Sequence, residues 1–155
     1  MALYGINPFE VGAIRETDTS KMVSQSPDLI IPEIQYSDVT KKLYNSTGVI
    51  FLNATKINVN TDELTNLGVT EQAIISTSST SYFRKNVSNT ASGTDGDEQG
   101  GFTVGGIFTK KISNGTEENE DETSENNSEE NAITSTLVIF GDNNFVSDIQ
   151  LTSQV

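Results

Sequence analysis

The sequence contains no cysteine and no histidine among its 155 residues. These absences exclude thiol nucleophiles, disulfide bonds, histidine bases and the usual zinc sites. Any chemistry in this chain must therefore use carboxylates, hydroxyls, amides, lysines or backbone groups. A cysteine-free chain suits an exported protein as well as a cytosolic one, so this absence does not indicate a compartment.

Basic residues and long hydrophobic runs are also scarce. Nine Lys and Arg residues stand against 22 Asp and Glu residues, which gives a net charge of −13. Nucleic acids and anionic membranes both require a basic surface, so this charge argues against either as a partner. No apolar run approaches the roughly 18 residues of a membrane span, and the first residues lack the features of a signal peptide. We expect one soluble domain over residues 1–155, excised from a larger protein.

Acidic residues are concentrated in the low-complexity segment 113–131. It holds eight carboxylates and no basic residue. Its few apolar side chains cannot offset the entropy lost on ordering, so we predict a disordered insertion between two strands. Clustered carboxylates without a folded cage bind divalent cations poorly, and we predict no metal site in this segment.

Continuous apolar runs rich in β-branched residues are typical of strands buried on both faces. Four such runs are VIFLN (49–53), QAIIST (72–77), GFTVGGIFTKKI (101–112) and TLVIF (136–140). Short helices are predicted at Val39–Tyr44 and Asp62–Leu67, with Gly48 and Gly68 ending them. The pattern predicts an α/β fold, with a mixed, mostly parallel sheet flanked by short helices and TLVIF in its middle.

Asp142 follows TLVIF directly, in the turn formed by residues 141–144. Ligands of open α/β sheets bind beyond the carboxyl ends of the strands, so Asp142 is the candidate ligand-binding residue. The alternative is a structural role, in which Asp142 caps a helical turn at Phe145–Ile149.

Other candidate sites fail chemical tests. Asp95–Gly100 begins like a calcium loop, but Gly106 occupies the twelfth position, where a bidentate Glu is needed. Lys85 is the one possible base for the serines at positions 76, 78, 79 and 81, and it would have to be buried. The glycine-rich stretch Gly93–Gly106 matches no phosphate loop or dinucleotide motif. We therefore predict no metal, no cofactor and no catalytic residue.

Several segments in order resemble one family. They are YGI (4–6), IIPEIQYSDVTKKL (30–43), VIFLNATKI (49–57), AIISTSSTSYF (73–83), GGFTVGGIF (100–108) and VIFGDNNFVS (138–147). The set resembles the extracytoplasmic domain of the auxiliary component of uncharacterised ABC-type transport systems, which include gliding-motility-associated members. The resemblance implies an α/β fold similar to a truncated class I glutamine amidotransferase without its catalytic cysteine and histidine.

The same resemblance implies a function. It indicates a non-catalytic interaction or sensing module on the extracytoplasmic face of a bacterial cell membrane, anchored by helices outside this chain. A transporter permease and an ATPase are the implied partners. This assignment depends on TLVIF lying in the middle of a layered sheet, with Asp142 at its rim.

Two further functions stay open. One is a carboxylate-based ligand-binding domain or hydrolase, with Asp142 at a strand-end cleft together with Asp38 or Asp95. The other is a β-sandwich adhesion module, which ranks last because the strongest runs are continuously apolar rather than alternating.

Overall fold

The structure is a computed structural model that describes residues 4–6, 10–44, 49–88, 97–112 and 133–142. Its strands are β1 (Ala13–Arg15), β2 (Leu29–Ile30), β3 (Glu33–Ile34), β4 (Phe51–Leu52), β5 (Val69–Ser76), β6 (Tyr82–Arg84), β7 (Glu98–Gln99), β8 (Thr103–Ile112) and β9 (Ile133–Phe140). One α-helix, α1 (Thr61–Asn66), and a 3₁₀ turn at Thr19–Lys21 complete the described elements. The predicted acidic insertion at 113–131 lies outside these described residues.

The strands form three sheets. The largest has the order β3-β5-β8-β9, a second has the order β1-β6-β7, and β2 pairs with β4. Every strand pair in the described part of the chain is antiparallel. β8 is the centre of the largest sheet, because it pairs with β5 on one edge and β9 on the other.

The prediction of a mostly parallel α/β sheet is therefore wrong; the described fold is mostly antiparallel β. Parallel neighbours need a crossover of a dozen or more residues, usually a helix. The one described α-helix has six residues, which is too short to cover a parallel sheet. The predicted helix at Val39–Tyr44 is also wrong. That segment is a turn, in which Thr40 O accepts hydrogen bonds from the N–H groups of Leu43 and Tyr44.

The apolar runs misled the prediction because both faces of the large sheet are covered. Side chains alternate along a strand, so neighbours in sequence enter opposite faces. On one face, Phe108 and Ile139 join a core cluster with residues of α1 and the segment before it. On the other face, Ile107 and Val138 pack against a second cluster built around Phe51, Ile75 and Val104. An antiparallel strand that is buried on both faces therefore has a continuous apolar sequence, as a buried parallel strand does.

The predicted strand at TLVIF is confirmed, because it forms part of β9, but its predicted central position is wrong. The strand lies at the border of the four-stranded sheet and pairs with β8 alone among the described strands. Its first half, including Ile133 and Thr136, is exposed, and only its second half reaches the two core clusters. The continuous run reflects burial of this second half from both faces.

α1 confirms the helix predicted from Asp62 to Leu67. The side chain of Asn60 accepts a hydrogen bond from the Glu63 N–H at 3.3 Å and caps the helix. Gly68 follows with a φ of +65°, the left-handed conformation that ends helices and favours glycine. Leu64 is the buried residue of the helix and joins the cluster around Phe108. No helix in the described ranges is long and apolar enough to cross a bilayer.

Gly141 fastens the end of β9 to the segment that follows β4. Its N–H donates to Val104 O at 2.8 Å, and its carbonyl oxygen accepts from the Thr55 N–H at 2.6 Å. A Cβ atom at this position would overlap the carbonyl oxygen of Thr55. Only a residue without a side chain allows the two backbones to approach this closely.

We predict that Gly141→Ala lowers the free energy of unfolding by about 3 kcal/mol, because the methyl group must displace backbone rather than a flexible side chain. Urea denaturation measures this change. The exposed substitution Thr70→Ala is the control and should cost no more than about 0.5 kcal/mol. Equal stability of the two variants would contradict the close contact at Gly141.

Candidate functional site

Asp142 is buried at the end of β9, with 6% of its surface exposed. Its Oδ2 accepts a hydrogen bond from the backbone N–H of Leu52 at 2.7 Å. Together with the bond between the Gly141 carbonyl oxygen and the Thr55 N–H, this contact joins β9 to β4 and to the residues after it. Asp142 therefore has a structural role, because it links two strands through residues that are 90 positions apart in sequence. The helical turn at 145–149, which Asp142 could have capped, lies outside the described residues.

The other carboxylates considered beside Asp142 do not form a described site with it. Asp38 lies on an exposed turn, where its carboxylate is 3.6 Å from the Lys41 ammonium. Asp95 lies outside the described residues. The calcium-like loop is described from Asp97 onwards, where Asp97 pairs with Arg84 and Glu98–Gln99 form β7. Within the described ranges, no group of three or more acidic side chains is arranged to hold a metal ion.

The most extensively bonded carboxylate is Glu16, which directly follows β1 and is 1% exposed. Both of its oxygens accept hydrogen bonds from hydroxyl groups of the loop between β5 and β6. The donors to Oε1 are Thr17 N (2.8 Å), Asp18 N (3.0 Å), Ser78 Oγ (2.9 Å) and Thr80 Oγ1 (3.0 Å), and those to Oε2 are Ser78 Oγ (2.7 Å) and Ser81 Oγ (2.9 Å).

These donors determine the protonation of Glu16. Burial raises the pKa of the Glu16 carboxyl group, but the bonds from the Asp18 N–H, the Ser78 hydroxyl and the other donors outweigh it. The net pKa lies below the ordinary value of 4.5. A carboxylate with a lowered pKa is a weak base and does not activate a serine. The hydroxyls of Ser78 and Ser81 therefore stabilise Glu16 and connect β1 to the neighbouring loop.

Lys85 was the candidate base for these serines, and the structure places it elsewhere. Its side chain is 67% exposed, and its ammonium lies 2.8 Å from Glu10 Oε1. A lysine base requires burial that lowers its pKa, and this position does not provide it. The described residues thus contain no serine–lysine pair at Ser78 or Ser81.

Glu10 belongs to a second polar network, centred on Lys56. The Lys56 ammonium lies 3.1 Å from Glu10 Oε2, forms an ion pair with Glu98, and sits 4.6 Å from the centre of the Phe83 ring. Asn58 Nδ2 donates to the same Glu10 oxygen at 2.7 Å. No sequence pattern indicates this network, because its members are spread over four separate segments.

The network perturbs the pKa values of its members in opposite directions. The bond from Lys85, followed by those from Asn58 and Lys56, lowers the pKa of Glu10 from 4.5 to about 2. Burial lowers the pKa of Lys56, but the bonds to Glu98 and Glu10 outweigh it and leave the pKa raised. Both groups are therefore held in their charged forms, which suits an ion-pair network rather than proton transfer.

Arg84 and Asp97 form a third polar contact that sequence reasoning missed. The two side chains are almost fully buried, and Arg84 Nη2 lies 2.9 Å from Asp97 Oδ2. The guanidinium also lies 5.0 Å from the centre of the Tyr82 ring. A buried arginine needs such partners, because an unpaired charge in the interior costs several kcal/mol.

An exposed apolar patch lies on the segment from Tyr36 to Tyr44. We define the Tyr36–Tyr44 patch as the side chains of Tyr36, Val39, Leu43 and Tyr44, which are 43% to 63% exposed. The Tyr36 and Tyr44 rings meet edge to face, with centres 5.6 Å apart. The spacing of Val39, Leu43 and Tyr44 predicted a short helix, and it gave no indication that these side chains would be exposed.

Comparisons with known proteins add no relative. No protein family, no curated protein and no solved structure matches this chain.

We predict that Asp142→Ala lowers the free energy of unfolding by about 1–3 kcal/mol, because the buried Leu52 N–H loses its acceptor. Asp142→Asn keeps an acceptor oxygen and should cost less. Denaturant titration of both variants measures the difference. Identical, negligible losses would show that Asp142 is not a structural tie.

We predict that the domain loses stability as the pH falls from about 4.5 towards 2, the interval between the ordinary and folded pKa of Glu10. A lowered folded pKa means that stability is present above the ordinary value and is lost as protonation breaks the bonds. Glu16 acts in the same direction. Thermal melts of Glu10→Gln and Glu16→Gln should show a weaker pH dependence in this range. An unchanged pH dependence in both variants would contradict the prediction.

Proposed function

We propose that this chain is a non-catalytic interaction module of an ABC-type transport system, displayed on the extracytoplasmic side of a bacterial membrane. A transporter permease and an ATPase are the partners that the resemblance implies. The location and the partners come from the ordered sequence resemblance alone, which runs from YGI at 4–6 to VIFGDNNFVS at 138–147. The fold counts against this part, because the assignment required TLVIF in the middle of a mostly parallel sheet, and β9 lies at the border of an antiparallel one. The interaction role does not depend on that assignment and is argued from the surface.

The non-catalytic part of the proposal is supported by the bonding of the polar side chains. Asp142 accepts from the Leu52 N–H, and Glu16 is surrounded by hydroxyl and N–H donors. Lys56 is shared between two carboxylates. Each of these groups serves a contact within the fold, and a base or nucleophile would instead need a free lone pair facing a substrate.

The observation that carries the interaction role is the Tyr36–Tyr44 patch. Four large apolar side chains are exposed within nine consecutive residues, and two aromatic rings among them pack against each other. Contiguous exposed apolar surface marks interaction sites in soluble proteins, and tyrosine is enriched in such interfaces. Lys42 lies in the same exposed turn, while Lys41 pairs with Asp38, so the turn adds one net positive charge to a strongly acidic chain. A protein partner with apolar and acidic groups would match this surface.

The carboxylate-based alternative receives less support. It requires Asp142 to face a cleft together with a second carboxylate. Asp142 is instead 6% exposed and bonded to the backbone of Leu52. Asp38, the described candidate for its companion, is on an exposed turn beside Lys41.

The first test concerns the partners. The gene should lie beside genes for an ATPase and a permease, and the full-length protein should co-purify with those subunits when all are expressed together. Absence of transporter genes nearby would count strongly against the transport assignment. If the subunits encoded nearby are expressed together with the full-length protein and do not co-purify with it, the transport assignment is contradicted.

The second test concerns the surface. We predict that Tyr36→Ser and Tyr44→Ser each weaken binding to the transporter subunits at least roughly tenfold, since buried tyrosines dominate many interfaces. Val87→Ser removes a similarly exposed apolar side chain outside the patch and is the matched control. Calorimetry measures affinity, and thermal melts should show all three variants folded. Equal affinity of the tyrosine variants and the control would remove the patch from the interface.

A further inference from the structure

β9 is the long border strand of the four-stranded sheet, and within the described residues no second strand pairs along it. Its eight residues, ITSTLVIF, include no charge and no proline. Native border strands are normally short, charged, bulged or covered, because their free N–H and C=O groups otherwise bind another strand. In the described part of the chain, β8 is the only strand that pairs with β9. This border is therefore suited to accept one more strand.

The opposite border of the same sheet shows the contrast. β3 has two residues, follows Pro32, and carries Glu33, whose carboxylate is 3.0 Å from the Lys21 ammonium. Shortness, proline and charge all discourage strand addition. The β3 border thus carries all three protecting features, whereas among the described residues β9 carries none of them.

A row of threonines crosses the sheet and ends at β9. Thr70 of β5 lies opposite Thr109 of β8, and Thr109 lies opposite Thr136 of β9. Opposed threonines are favourable cross-strand pairs. The row stops at the β9 border, where Thr136 is exposed.

We propose that two copies of this chain associate through antiparallel pairing of their β9 strands over Ile133–Ile139, with the two-fold axis at Thr136. The row then continues through Thr136 of both copies. Thr134 lies opposite Val138 of the second copy on the same face. On the other face, the exposed Ile133 lies opposite Ile139 of the second copy, so apolar side chains meet apolar ones. The two four-stranded sheets become one continuous sheet of eight strands.

Charge explains why the pairing is antiparallel. Each chain enters β9 directly from the acidic segment, which carries eight carboxylates between positions 117 and 130. Parallel pairing would begin both strands at the same end and bring these charges together. Antiparallel pairing begins them at opposite ends of a seven-residue ladder, roughly 20 Å apart at about 3.4 Å per residue. This separation exceeds the Debye length of about 8 Å at physiological ionic strength.

The net charge of −13 also predicts how the dimer responds to salt. Two like-charged copies repel each other, and added salt screens this repulsion. We expect sedimentation equilibrium of the full chain to show a monomer–dimer equilibrium whose dimer fraction rises with ionic strength. A chain that stays monomeric at every concentration and salt level tested would overturn the proposal.

Crosslinking tests the register directly, because the chain has no cysteine and a single introduced thiol reports its own symmetric contact. Residues opposed across a two-fold axis have Cβ atoms about 5 Å apart, close enough for a disulfide after a small adjustment. Thr136→Cys should form a covalent dimer on mild oxidation. Thr70→Cys is the matched control, since Thr70 is exposed on the same face but two strands from the axis. Equal dimer yields from both variants would overturn the register.

A charge placed at the axis provides the second variant. In Thr136→Lys the two ammonium groups face each other, so we expect the dissociation constant of the dimer to rise at least roughly tenfold. Thr70→Lys adds the same charge away from the axis and should leave the constant near that of the original chain. Circular dichroism checks that both variants fold. A dimer insensitive to Thr136→Lys would overturn the proposal. These measurements use the chain alone, so their failure is distinct from failure to bind a transporter subunit.

Discussion

Burial of both faces of one antiparallel sheet is the constraint on which the described fold depends. β8 lies between β5 and β9, and its alternating side chains enter two separate core clusters. Phe108 and Val104 are fully buried, one in each cluster. Glycines at 105 and 106 let neighbouring side chains approach the strand, since a Cβ at either position would crowd Ile75 or Phe108. Every other element covers one of these faces or connects the elements that do.

Polar side chains fasten these coverings to the sheet. Asp142 and Gly141 join β9 to the β4 region, Glu16 joins β1 to the loop after β5, and Lys56 joins distant segments beneath two aromatic rings. A buried charge is tolerated only where partners compensate its lost hydration. Because these groups are already bonded within the fold, they are poorly suited to act as a base or nucleophile. The candidate binding surfaces are instead the Tyr36–Tyr44 patch and the border of β9.

Local structure was predicted best where the cause is local. The helix ending at Gly68 was predicted from its terminal glycine, and the cap at Asn60 and the acidic first turn that the structure shows also act within a few residues. Strands at β5, β8 and β9 were found from their β-branched composition. The direction and order of these strands were predicted wrongly. The apolar run in TLVIF indicates how much of the strand is buried, but not which elements bury it. The prediction at Val39–Tyr44 was wrong for a related reason: its apolar spacing fits a helix, but the segment is a turn whose apolar side chains are 43% to 48% exposed.

The sequence by itself determined the chemical limits of this protein: without cysteine or histidine, and with a charge of −13, whole classes of site and partner are excluded. It also determined where strands form, because backbone preferences and turn residues act over short distances. Only the tertiary structure decided that the strands run antiparallel, that β9 lies at a border, and that Glu16, Lys56 and Asp142 are bonded within the fold. Those outcomes depend on contacts between residues 40 to 90 positions apart, which no local pattern encodes.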